Sequence, residues 1–200
     1  MNNKKIVITI GREYGSGGHA IAELIAKQLD IPLYDRNILA LASSETGIEE
    51  NELLDGDERV INPFFEPYFA NRYDFNTVSD KLYLTQAKII REKASEGSCI
   101  FVGRCSDYVL ADTEDCYHFF IWAPKAARIA RIMKEEDIKS EAAAEKILKM
   151  IDRQRKSYYQ LYTDRKWGSY IGKDMVINSS TLGIAGTAQL IIDFVNKVIN

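Results

Sequence analysis

One stretch, Lys4–Leu29 (KKIVITIGREYGSGGHAIAELIAKQL), constrains the fold more than any other. Ile6, Val7, Ile8, Thr9 and Ile10 form a short, continuously apolar, β-branched run of the kind that fills a buried parallel strand. Glycine punctuation follows at once, so the strand is expected to stop at Gly11. From Gly17 onward Ile21, Leu24, Ile25 and Leu29 recur at three- and four-residue steps, which predicts an amphipathic helix to about Leu29. Gly15, Gly17 and Gly18 allow a tight backbone turn between the two. Loop and first-turn N–H groups then converge on one spot that carries the helix's partial positive charge.

Such a concavity suits a phosphate, and it invites comparison with the phosphate-loop pattern G-x-x-x-x-G-K-[ST]. With Gly17 as the second motif glycine, the first-glycine position holds Arg12, the lysine position Gly18 and the hydroxyl position His19. The anion cradle is kept, while its cation and its metal-binding hydroxyl are replaced. On the loop alone, a packing turn or a dinucleotide-binding turn remains an alternative.

Two hundred residues with 46% hydrophobic content suffice for one domain, 1–200, with a sizeable core. The net charge of -3 gives no global attraction to nucleic acid or to an anionic membrane. Neither end shows a long apolar run or a signal-peptide pattern. Cys99, Cys105 and Cys116 lack metal-type spacing and are expected as reduced thiols in a cytoplasmic protein.

Further strands are expected at Ile31–Tyr34, Ser98–Val102, Tyr117–Trp122 and Met175–Ile177. Helical periodicity falls between them, in segments including 78–96, 126–134, 140–162 and 183–199, with a turn at 178–180. Short apolar strands alternating with helices argue a parallel sheet covered on both faces. Asp35 lies where a strand hands over to a helix, either facing a ligand or capping the helix. Between Gly47 and Thr77 an acidic piece precedes an aromatic one, 63–75, whose rings suit a lid, an acceptor flap or a homodimer contact.

Arg12, Arg36, Arg104, Arg128, Arg131, Arg153 and Arg155 concentrate at the expected strand ends and on the two helices after the third long strand. Guanidinium groups bind phosphate bidentately and stabilise charge on a transferring phosphoryl group. His19 can touch a phosphate as a pH-dependent cation, whereas His118, inside an apolar strand, reads as a core residue.

GREYGSGGHAIAELIAKQL, YDRNIL, IFVGRCSDYVL, IDRQRKSYYQLYTDRKWG and INSSTLGI, in that order, resemble the cytidylate kinase-like family, a branch of the P-loop nucleoside monophosphate kinases. The resemblance implies an α/β three-layer P-loop kinase fold with a central five-stranded parallel sheet, a helical acceptor-binding insert over about 36–95 and an arginine-bearing lid over about 124–168. It implies transfer of the γ-phosphoryl group of Mg²⁺-ATP to a nucleoside monophosphate, CMP or dCMP by family name. Two alternatives stand beside it: a nucleotide-binding sensor or scaffold without catalysis, and a kinase of a hydroxyl acceptor. By position, Gly15, Ser16, Gly17 and Gly18, with His19, cradle the donor phosphates. Asp35, Arg36, Arg104 and Asp107 face the acceptor, and Arg12, Arg128, Arg131, Arg153 and Arg155 carry the transfer. Ser16 and Asp35 are the expected magnesium contacts. True cytidylate kinases keep a lysine where this chain has Gly18 and an aspartate where it has Cys105. If the acceptor is a hydroxyl compound, Asp35 or Asp107 is the candidate base.

Overall fold

The computed structural model describes residues 5–47 and 78–199, so the aromatic segment 63–75 and most of its acidic neighbour lie outside the described residues. Five strands, β1 (Val7–Arg12), β2 (Leu33–Tyr34), β3 (Cys99–Val102), β4 (Cys116–Trp122) and β5 (Met175–Asn178), form one parallel sheet in the order β2-β3-β1-β4-β5. Val7 pairs with Cys99 on one side and Cys116 on the other, which puts β1 at the centre of the sheet.

Seven helices connect and cover the strands among the described residues: α1 (Gly18–Leu29), α2 (Asn37–Thr46), α3 (Val78–Glu96), α4 (Ser106–Val109), α5 (Lys125–Glu135), α6 (Glu141–Thr163) and α7 (Ser179–Ile199). The β1 side chains alternate between two cores. Ile8 and Ile10 join Ile21 and Ile25 of α1 and Ile191 and Val195 of α7 on one face. On the other, Val7 meets Ile38 of α2, Ile90 of α3 and Phe101. Both faces are therefore dry, which is why the strand reads as an unbroken apolar run.

Three features differ from the sequence reading. First, β1 continues two residues past Ile10 because Arg12 still pairs with Ile121 of β4. Second, the expected turn at 178–180 is absent: α7 starts directly at Ser179, and the break comes instead at Gly183, where φ is 68°. Third, α7 is long and apolar enough to cross a membrane by length and composition, contrary to the expected lack of a long apolar run at the ends. Its buried stripe of Ala188, Ile191, Ile192 and Val195 belongs to the main core with α1.

Candidate active site

The loop between β1 and α1 is shaped by its backbone. Gly15 and Gly17 have φ of 73° and 81°, a region that L side chains rarely adopt. Gly17 caps α1 without any side-chain hydrogen bond, so the first N–H groups of the helix are left for another acceptor. Ser16 is fully buried, and its carbonyl accepts a 2.5 Å hydrogen bond from the Ser179 hydroxyl at the start of α7. Its own Oγ has no hydrogen-bond partner among the described residues. A buried orphan hydroxyl costs free energy unless something binds it.

Two arginines of α5 hold this loop in different ways. Arg128 is buried and donates to the Ala123 and Tyr14 carbonyls and to Asp152 of α6 at 2.5 Å, with Glu13 3.3 Å away. Asp152 in turn accepts from the Tyr14 backbone N–H. Burial raises both carboxyls, Glu13 and Asp152, even against the nearby guanidinium. Arg128, expected as a transfer arginine, is thus tied to the underside of the loop as a brace. Arg131 donates to the Gly15 carbonyl at 2.6 Å. Arg153 and Arg36 are exposed and stand outside the buried cluster.

That cluster centres on Asp35, just past the end of β2. Its Oδ1 accepts from Arg104 at 2.7 Å, with Arg12 at 4.0 Å, and its Oδ2 accepts from His19 at 2.7 Å. Burial alone would raise this carboxyl, but the His19 hydrogen bond and the charges of Arg12 and Arg104 outweigh it and hold Asp35 well below the carboxylate range. The Asp35 hydrogen bond in return raises His19. Arg104 is aimed by an unusual backbone: Gly103, Arg104 and Cys105 all have positive φ, at 75°, 54° and 54°. Left-handed backbone at non-glycine residues costs about 1–3 kcal/mol each and is kept where surrounding structure enforces it.

A cavity opens beside this cluster, at the carboxyl ends of β1 and β3, where ligands gather in open parallel sheets. Arg12, Arg104 and Arg155 line it with Lys173, Asp107 and Tyr159. Lys173, in the loop before β5, is buried against Asp107, which also accepts from the Tyr159 hydroxyl at 2.7 Å. Lys173 escaped the sequence reading because a lone lysine in a loop carries no periodicity or motif. Asp107, expected as an acceptor contact or a base, is committed to Lys173 and Tyr159. Arg155 reaches back to the Arg12 carbonyl at 3.4 Å. The thiols are quiet: burial pushes Cys99 and Cys116 up to about 12, and Cys105 is buried beneath Tyr158 and Tyr159. His118 is a satisfied strand residue, paired with the Thr9 hydroxyl at 2.8 Å.

No group of three His, Cys, Asp or Glu side chains suited to a metal occurs among the described residues. Of the two expected magnesium contacts, Ser16 has an unsatisfied oxygen, whereas both oxygens of Asp35 face cationic partners. A cation at Asp35 would share the carboxylate with Arg104 and His19.

A parallel sheet of this order, a glycine loop leading into α1 and arginines at the strand ends define the P-loop kinase fold. The chain belongs to the cytidylate kinase-like family, whose sequence profile matches residues 7–181. A crystal structure of an uncharacterized protein from Eubacterium ventriosum is 28% identical, with a TM-score of 0.74 over 96% of this chain and 99% of that one. Shikimate kinases from Bacteroides thetaiotaomicron and Acinetobacter baumannii share the fold at 12% identity. Their TM-scores are 0.56 and 0.54, over 96% and 98% of this chain and 99% and 95% of theirs. No functionally curated protein matches the chain significantly. Family and fold together support a kinase of nucleotides or small molecules.

Proposed function

We propose that the protein transfers the γ-phosphoryl group of Mg²⁺-ATP to a small anionic acceptor, a nucleoside monophosphate of the CMP or dCMP kind by family resemblance. The observation that carries this reading is the gathering of Arg12, Arg104, Arg155 and Lys173 around one cavity beside the glycine loop. The loop, with Gly15, Ser16, Gly17, Gly18 and His19, would hold the donor phosphates, and the cavity the acceptor's anionic group. Ser16 Oγ would contact magnesium, which keeps most of its waters and phosphate ligands in such sites. The metal supplies neutralisation of charge between the donor phosphates.

A phosphate acceptor also suits the acid–base character of the site. Asp35 is held low by His19, Arg12 and Arg104, and so is a poor proton acceptor near neutral pH. An acceptor phosphate is already ionised and needs alignment and charge neutralisation, which arginines provide. A hydroxyl acceptor carrying its own anionic group is the second reading, suggested by the fold shared with the shikimate kinases. The reaction is assigned to the cytoplasm, with a small-molecule nucleotide as partner and no nucleic acid or membrane; a homodimer through 63–75 is part of the same proposal.

ADP release from Mg²⁺-ATP, measured against nucleoside monophosphates, nucleosides and small hydroxy acids, tests the reading. Turnover is expected with a monophosphate and lost in Arg104→Ala. Turnover only with a hydroxyl compound selects the second reading. Binding of ATP without turnover on any acceptor leaves a sensor or scaffold.

A further inference from the structure

Gly18 poses a problem that the other loop glycines do not. Gly15 and Gly17 are needed for their positive φ, but Gly18 opens the α1 helix with no left-handed backbone to demand glycine. What excludes a side chain there is Arg12. A Cβ built on Gly18 would stand 2.6 Å from Arg12 Cβ, closer than real Cβ atoms approach, and 3.1 Å from its Cγ. The stem of Arg12 therefore fills the space from which a side chain at residue 18 would depart.

In the phosphate-loop pattern these two positions carry the opposite residues: glycine at the position of Arg12 and lysine at that of Gly18. Resting on the phosphotransfer reading above, we infer that the two positions have exchanged roles, so that Arg12 supplies the loop's phosphate-binding cation through the space that Gly18 vacates. Arg12 is buried, starts from the last residue of β1 and ends 4.0 Å from Asp35, on the border between loop and cavity. The other arginines at the loop are placed differently: Arg128 braces its underside, and Arg131 binds the Gly15 carbonyl. An arginine at this place can fork two phosphate oxygens at once, where a lysine acts as a point charge.

The exchange makes a reciprocal prediction that calorimetric titration of Mg²⁺-ATP and of inorganic triphosphate, with melting temperatures for each variant, can read. Arg12→Met keeps the stem and removes the charge, and triphosphate affinity, titrated at a temperature where the variant is folded, is expected to fall tenfold or more, with a melting temperature lowered by loss of the charge beside Asp35. Gly18→Lys alone is expected to lower the melting temperature, because its Cβ meets the Arg12 stem. The pair Arg12→Gly with Gly18→Lys, which restores the pattern's glycine and lysine, is expected to recover both stability and triphosphate binding. If Arg12→Met binds triphosphate as the wild type does, or the pair is no better than Gly18→Lys, the exchange is refuted while the kinase reading stands. A wild type that binds neither ligand refutes the kinase reading itself.

Discussion

The two halves of the proposed site, donor and acceptor, are built from different material. The donor half is a run of consecutive residues, Gly15 to His19, whose shape comes from backbone torsions and whose one buried hydroxyl is unbonded. The acceptor half is assembled from side chains that meet only in the folded chain: Arg104 after β3, Asp107 in α4, Arg155 and Tyr159 in α6, and Lys173 before β5. A backbone-built cradle tolerates loss of side chains but not their addition. A side-chain cavity behaves the other way.

The largest effect is expected in the acceptor half. Lys173 and Asp107 have side-chain exposures of 4% and 8%, so removing one leaves the other charge buried without its partner. Asp107→Ala is expected to destabilise the fold by about 3–5 kcal/mol, and the apolar replacement of both, Asp107→Leu with Lys173→Met, to recover most of that loss. Urea denaturation of the two variants checks it. A single variant as stable as the wild type would mean that the pair is solvated.

The donor half should show the converse. Gly15→Ala forces a side chain into a φ of 73°, with its Cβ 2.9 Å from both the Arg128 carbonyl oxygen and Ile132 Cδ1. A loss of about 1–3 kcal/mol is expected from strain of this kind. Ser16→Ala removes an oxygen that bonds nothing in the described protein, so its stability should stay within about 0.5 kcal/mol of the wild type, while affinity for Mg²⁺-ATP falls. Equal losses of stability in these two variants would erase the contrast.

The same division decides what was legible in the sequence. The β1–loop–α1 unit is contiguous, so its apolar run, glycines and helical period predict it, and the two-sided burial of β1 follows from its lack of alternation. Asp35 and Arg104 were found because they sit at strand ends, but their ion pair was not, since it depends on three successive left-handed residues that no local pattern announces. Arg128 illustrates the limit from the other side: periodicity places it on α5, whereas its ties to Glu13 and Tyr14 of the loop and to Asp152 of α6 arise only when those segments pack together. Lys173 lies 66 residues from its partner Asp107, and nothing in either segment points to the other.

The smallest effect lies at the seam between the halves, where His19 of the donor loop binds Asp35. The hydrogen bond from His19 Nδ1 raises the histidine above its ordinary value of 6.5, with Glu23 3.2 Å from Nε2 adding in the same sense. A group whose value is raised in the folded state stabilises fully below its unfolded value, so this contribution is complete below pH 6.5 and is lost as pH climbs through the folded value. Asp35 runs oppositely: its contribution is complete above pH 3.8 and is lost only as pH falls through its depressed folded value. Both are present between about pH 4 and 6.5, and the seam loosens on the alkaline side. With a side chain 54% exposed, the His19 contribution is screened by salt and small. His118, the other histidine, is lowered by burial and serves as an internal reference. Proton NMR should therefore show the two rings titrating on opposite sides of 6.5, and Asp35→Asn should bring His19 down while leaving His118 in place. A His19 midpoint that ignores Asp35→Asn would detach the donor loop from the acceptor half and leave the two sites as neighbours without a shared charge.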